Sequence, residues 1–210
     1  MKKFIIHLLT ILFLISCKPN SADNSSNSNL VNVSDSFSDL ADSNNYKNLS
    51  VSISHLVDSL NIKKEDLRIL IDKSDYKLSI LANSSIIKEY PVVFGTNPID
   101  DKLMEGDRST PEGHFRIRDF YPHKSWSKFI WIDYPTKDSW KKHNKAKSEN
   151  RIPNDVTIGG EIGIHGVPKG KSKLIEGKVN WTWGCISLTN KNVEELYKIV
   201  YKNMKIEIVK

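Results

Sequence analysis

Cysteine is scarce in this 210-residue chain, with only Cys17 and Cys185 present. Two cysteines cannot build the multi-bridge framework on which small exported domains rely. The chain has no His-Glu-x-x-His and no Cys-x-x-Cys pattern, so His114, His123 and His143 carry no zinc signature, and neither a metal nor another cofactor is expected. It lacks a basic stripe interleaved with aromatics, which argues against nucleic acid as a partner despite a net charge of +6. No apolar run reaches the ~20 residues that a membrane-spanning helix needs. There is no internal repeat. What remains is a length suited to one catalytic domain with a short accessory region, large enough to bury a core without disulfides or metal.

The N-terminus is the first segment with a distinct character. Lys2 and Lys3 precede an apolar run from Phe4 to Ile15, interrupted only by His7 and Thr10. Its 12 residues are too few to span a bilayer and match the apolar region of a signal peptide. The run ends in Leu14-Ile15-Ser16-Cys17, which resembles the bacterial lipobox. That resemblance implies that residues 1–16 are removed and that Cys17 carries lipid, leaving Cys185 as the only free thiol. A lone thiol outside the cytosol invites a catalytic reading.

Residues 18–50 hold nine Ser, eight Asn and four Asp among 33 positions. So polar a tract buries too little apolar surface to offset its ordering entropy, so residues 17–50 read as a lipidated, disordered tether. Residues 51–65 form a short helical lead-in, with Val51, Leu56, Val57 and Leu60 at mostly helical spacing. From Leu67 the pattern changes to runs of five to nine residues split by Ser74-Asp75 and Asn83-Ser84, the mark of antiparallel hairpins. Further strands are predicted at His114–Tyr121, Phe129–Tyr134, Ile158–Ile164 and Met204–Val209. Residues 137–156 are polar and basic and read as a loop or a short helix. Val193, Leu196, Tyr197 and Val200 recur at helical spacing, with Asn192 and Glu195 as a candidate cap. The chain is therefore mainly β with one clear late helix.

Two motifs carry chemistry. In Ile162-Gly163-Ile164-His165-Gly166, a histidine beside glycine ends a β-run. In Trp181-Thr182-Trp183-Gly184-Cys185, a glycine before a cysteine lets the backbone turn sharply and approach a ligand. The amides of Gly184 and Cys185 are candidate oxyanion donors. Cysteine is reactive as its thiolate, and a neighbouring imidazole that takes its proton would form an ion pair with it.

Sixteen residues separate His165 from Thr182, and Cys185 follows three later. In this spacing the sequence resembles the L,D-transpeptidase catalytic domain family, also called YkuD-like. That family carries His-Gly, then about 14 to 17 residues, then Ser or Thr, usually His, and Gly-Cys. Thr110-Pro111-Glu112-Gly113 with Phe115 is similar to a further family segment, and the hairpins from Leu67 to Gly95 look like its opening strands. The resemblance covers residues 66–210. Two positions depart from it: Trp183 stands where the family usually has His, and Ser187 where it often has Arg. Tyr134-Pro135 with Asp138, Gly159-Gly160 and Trp181-Thr182 look more like the YafK-like branch, some members of which hydrolyse rather than cross-link.

The resemblance implies a β-sandwich or barrel domain with Cys185 as nucleophile, His165 as base and the Gly166 carbonyl as the orienting group. It implies a substrate region at Thr182, Trp183 and Ser187. The expected substrates are peptidoglycan stem peptides, processed through a cysteine thioester. An L,D-peptidase that releases peptides or a wall-linked lipoprotein is the alternative. A lipid-anchored wall-binding protein without activity is the alternative from another class. The lipid anchor implies an exported protein, at the periplasmic face of an outer membrane or otherwise at the outer face of the cytoplasmic membrane.

Overall fold

The computed structural model describes residues 45–210. Cys17, the signal segment and most of the tether lie outside them. Among the described residues no helix is long and apolar enough to cross a membrane.

Eight strands run in the spatial order β3-β2-β1-β8-β4-β5-β6-β7. They are β1 (Leu67–Asp72), β2 (Lys77–Ala82), β3 (Ser85–Pro91), β4 (Gly113–His123), β5 (Ser127–Ile132), β6 (Gly163–His165), β7 (Ile186–Ser187) and β8 (Lys205–Val209). The helices are α1 (Ile53–Ser59), α2 (Lys137–Ser148), α3 (Lys173–Glu176) and α4 (Asn190–Tyr197). Alternation builds the first half of the sheet. Leu67, Ile69 and Ile71 of β1 are buried while Arg68, Leu70 and Asp72 between them are half-exposed, the period-2 pattern of a strand with one face on a core.

β4 is the hinge of the architecture. Its first residues, Gly113 to Arg116, pair with β8, and the remainder pairs with β5. The register shifts between Ile117 and Asp119, and such a bulge bends a strand. The edges then meet, because Val93, just beyond β3, bridges Ser187 of β7. The sheet thus closes on itself in barrel fashion around Ile69, Ile80, Ile117, Ile130, Ile164, Ile186 and Ile206. Val193 and Leu196 of α4 are fully buried against that core. Each such side chain contributes about 1.5–3 kcal/mol.

Two details depart from the sequence reading, and a third, at residues 137–148, decides between its two alternatives. Residues 45–50, assigned to the tether, pack on the domain: Tyr46 is buried, and the fully buried Lys88 donates to the carbonyls of Asn48 at 2.9 Å, Leu49 at 3.0 Å and Val51. Residues 137–148 form a 12-residue helix, capped by Thr136 and Ser139, each of whose hydroxyls accepts from the other's amide. The cap of α4 is Thr189, which accepts from Asn192 at 3.2 Å, so Asn192 and Glu195 lie inside the helix.

Candidate active site

β6 and β7 run parallel, with Ile164 opposite Ile186 and His165 opposite Ser187. Side chains alternate across a strand. The two isoleucines enter the core, so His165 and Ser187 occupy the other face. Cys185, two residues before Ser187, falls on that side as well. On β5, Phe129 pairs with His165 and Trp131 with Gly163. A cleft of about 310 Å³ opens over this face, lined by Tyr121, His123, Trp126, Phe129, Trp131, Glu161 and Cys185.

His165 is only 2% exposed. Its Nδ1 lies 2.7 Å from the Gly166 carbonyl, which also accepts from Ser187 Oγ at 3.2 Å. A carbonyl can only accept, so Nδ1 carries the proton and Nε2 keeps the lone pair. Rings fix the imidazole on several sides. Trp126 stacks on it at 4.4 Å, Phe129 lies nearly parallel at 5.9 Å, and Trp181 meets it edge-on at 5.5 Å. His123 in turn stacks on Trp126 at 4.3 Å. Gly166 admits no side chain, since a Cβ would lie 2.1 Å from Asn190 Oδ1 and 2.6 Å from the Trp126 carbonyl. Burial, reinforced by the nearby His123 and opposed by the Gly166 hydrogen bond, lowers the His165 pKa to about 4.

Cys185 is reached through a tight turn. Gly184 has φ +130°, and a Cβ there would lie 2.7 Å from the Ser109 carbonyl. Thr182 Oγ1 donates to the Cys185 carbonyl at 2.6 Å and accepts from the Gly184 amide at 3.2 Å. The thiol donates to the carbonyl of Glu161 at 3.6 Å, and Glu161 itself has φ +56°. Burial raises the thiol to about 11, while the Gly163 backbone and the Lys102 charge pull the other way and Glu161 adds to the rise. Burial thus disfavours the charged form of each group, the imidazolium of His165 and the thiolate of Cys185.

Other sequence-predicted positions have different surroundings from those anticipated. The Gly184 amide is turned to Thr182 Oγ1 and is not open to an oxyanion. Thr182 and Ser187 are buried, at 4% and 0% exposure, and hold the turn and the histidine's carbonyl partner instead of contacting solvent. Trp183 is 76% exposed, lies under the Arg108 guanidinium at 5.4 Å, and is not a wall of the cleft. The aromatic wall is the part sequence reasoning missed. Phe129 and Trp131 alternate with Ile130 and Ile132, so their common face was readable, but its partner strand was not. Among the described residues no three His, Cys, Asp or Glu side chains are placed to hold a metal; His143 is buried, with Nδ1 2.6 Å from the Leu103 carbonyl.

A strand-borne histidine and a cysteine on a glycine turn thus lie at one side of a closed β-sheet, with the cysteine opening into the cleft. The family description of the YkuD L,D-transpeptidase catalytic domain matches residues 66–208, and the chain belongs to this family. The family's enzymes are cysteine-dependent and act on peptidoglycan stem peptides. Among curated proteins none is significantly similar in sequence. Of solved structures, the fold is similar to the helical cell shape determining protein Pgp2 from Campylobacter jejuni, at 24% identity and a TM-score of 0.50, covering 74% of this chain and 54% of that one. Bd1075 from Bdellovibrio bacteriovorus has 21% identity and a TM-score of 0.49, covering 69% and 48%. An L,D-transpeptidase from Mycobacterium smegmatis has 16% identity and a TM-score of 0.42, covering 69% and 59%. The chain thus spans about half the length of these proteins.

Proposed function

We propose that this chain is a lipid-anchored peptidoglycan L,D-transpeptidase with Cys185 as nucleophile and His165 as acid and base. The observation that carries the reading is the placement of His165 at the end of β6 and of Cys185 immediately before the parallel strand β7, with His165 Nδ1 bound to the Gly166 carbonyl at 2.7 Å and Nε2 left as the base. The Cys185 sulfur attacks the carbonyl of the diamino-acid residue of a stem peptide, and its proton passes to His165 Nε2. The tetrahedral intermediate collapses to a thioester as His165 returns that proton to the departing amine. An acceptor amine then attacks the thioester, releasing the thiol and forming the new amide. With the Gly184 amide engaged by Thr182, the Cys185 amide is the backbone donor for the oxyanion.

Burial that disfavours both charged forms suits this sequence of events. A thiol held by the Glu161 carbonyl ionises only as the acyl donor arrives, which limits loss of the nucleophile to adventitious oxidation.

A second reading, an L,D-peptidase of the YafK-like branch, is supported by the resemblance of Tyr134-Pro135 with Asp138, Gly159-Gly160 and Trp181-Thr182 to that branch. Water then replaces the amine in the second half-reaction. In either reading, Cys17 carries the lipid and holds the domain at the periplasmic face of an outer membrane, or otherwise outside the cytoplasmic membrane, near wall polymer and wall-linked lipoprotein. Loss of lipid labelling in Cys17→Ala tests the anchor.

Mass spectrometry of a soluble chain incubated with muropeptides and a free amine tests the chemistry. The chain should begin no later than Asn45, because Lys88 binds the carbonyls that follow. An adduct on Cys185 with amine-exchanged product supports the transpeptidase. An adduct that yields only hydrolysed peptide moves the assignment to the peptidase. No adduct with any stem peptide leaves the non-catalytic wall-binding protein.

A further inference from the structure

The cleft at Cys185 has a polarity that the chain as a whole does not share. The protein carries a net charge of +6, yet among the described residues that line this cleft there is no lysine or arginine. Its walls are the rings of Tyr121, Trp126, Phe129 and Trp131, with His123, Cys185 and one acid, Glu161. His123 Nδ1 accepts from the Ser125 amide at 3.2 Å, so the neutral ring presents Nε2–H, a donor. The carboxylate has no such partner. Glu89, Glu112 and Glu195 each face a lysine, at 3.9, 2.7 and 3.2 Å. Glu161 is exposed, and among the described residues its carboxylate has neither a hydrogen bond nor an ion pair.

The backbone of the same residue touches the nucleophile. The Glu161 carbonyl accepts from the Cys185 thiol at 3.6 Å, at a left-handed φ of +56°. A side chain is uncommon at such a φ, and glycine adopts it without steric cost. Because its backbone meets the sulfur, the Glu161 side chain starts beside the carbon to which that sulfur would bond. Aromatic faces attract cations, as Trp131 already does with Arg118, whose guanidinium lies 4.4 Å from the ring centre. A carboxylate without a partner, among such rings and next to the thiol, attracts an ammonium and repels an anion.

We propose that Glu161 binds the amine of the acyl acceptor as its ammonium ion and so sets the preference for amine over water. The inference rests on the acyl-enzyme proposed for Cys185 and names the group that selects the acceptor. Water is far more abundant than any amine, so an acceptor has to be held in place to compete. The bound ammonium gives one proton to His165 Nε2. Its nitrogen then bonds to the thioester carbon, the carbon–sulfur bond breaks, and the electron pair of that bond leaves with sulfur. Of the three ammonium protons, one stays on the new amide, one restores the thiol and one leaves through His165 to solvent. The donor's diamino-acid side chain also ends in an amine, but several bonds from the attacked carbon, whereas the acceptor nitrogen has to reach that carbon.

One test needs no stem peptide. Cys185 in the full-length chain is modified with aminoethyl methanethiosulfonate, a cation, and with sulfonatoethyl methanethiosulfonate, an anion, and followed at the Cys185 peptide by mass spectrometry. Glu161→Gln keeps the shape and the backbone carbonyl but removes the charge. It should lower the cation-to-anion rate ratio by about fivefold, the size of one exposed charge pair, and Glu161→Asp should restore most of it. An unchanged ratio in Glu161→Gln overturns the proposal. The other test assigns the amine. The acyl-enzyme is discharged with glycinamide, an ammonium at neutral pH, or with hydroxylamine, which is uncharged there. Glu161→Gln should raise the glycinamide concentration for half-maximal exchange about fivefold relative to that for hydroxylamine. Equal losses with both nucleophiles overturn the acceptor role. So does a larger loss in the rate of adduct formation, which would give the carboxylate to the donor's own amine. A wild-type chain that forms no adduct sinks the proposed function, while the reagent ratio still decides whether Glu161 draws an ammonium to Cys185.

Discussion

His165 and Cys185 belong to one face, but the two sides of that face are held in different ways. The histidine is 2% exposed, enclosed by Trp126, Phe129 and Trp181, and its Nδ1 partner is itself held by Ser187 and by the close approach of Asn190. The cysteine is partly exposed at the end of a turn with φ +130° at Gly184, held by one hydrogen bond from Thr182 Oγ1 to the Cys185 carbonyl and one from the Gly184 amide to Thr182 Oγ1, and backed by a loop tied through Asp107. The base role proposed for His165 needs one tautomer and one orientation through the cycle, and dense packing favours both. The nucleophile role proposed for Cys185 needs access for substrate, and the Gly184 turn fixes the backbone that carries it.

The sharpest test of this difference is to remove each side separately. Cys185→Ala should abolish acyl-enzyme formation and leave the fold unchanged, seen as no mass adduct and an unaltered thermal midpoint. Gly184→Ala should cost about 100-fold or more in turnover, since it disturbs the turn that presents nucleophile and oxyanion donor. Measured kcat, with adduct formation slowed in parallel, would place the defect in the turn.

The packed side should respond to pH instead. In the folded state His165 resists protonation down to about pH 4, whereas an unfolded histidine takes its proton near 6.5. The sign follows: stability from this group is complete above about 6.5 and is lost as pH falls towards 4, by roughly 3 kcal/mol. Urea unfolding of wild type and His165→Gln across that window should converge as pH falls. Parallel curves would contradict the burial argument.

Ser187→Ala removes one of two hydrogen bonds on the Gly166 carbonyl and should cost about 1 kcal/mol in stability, with a few-fold loss of turnover. Trp183→Ala should have the smallest effect on the fold, within about 0.5 kcal/mol, because an exposed side chain contributes little to it. A change in the ratio of amine exchange to hydrolysis in that variant, read from product masses, would show that the exposed indole governs the acceptor.

Much of the fold was legible because local physics decided it. The alternation in Leu67–Asp72 and Lys205–Val209, with turns at Ser74-Asp75 and Asn83-Ser84, marks strands with one face on a core. Helix α2 was less clear, since Lys137–Ser148 buries only Ser139, His143 and Ala146 and shows no apolar stripe. Its only strong signal is the Thr136-x-x-Ser139 cap. The strand before His165 is shorter than predicted because positive φ at Gly159 and Glu161 breaks the extended backbone.

The amino-acid sequence by itself determined the reactive types and their order: a glycine-flanked histidine, then Gly184-Cys185 at a separation that suits one family. Spacing of this kind survives any packing, because it is set by chain chemistry and turn propensity. Only the tertiary structure decided which neighbours those residues have. Thr182 and Ser187 become buried backbone anchors, Trp126 and Trp131 become cleft walls, and burial disfavours the charged forms of His165 and Cys185. Those outcomes depend on strand register and on loops distant in sequence, which bring Ser109 against Gly184 and Asn190 against Gly166, and local pattern carries no information about either.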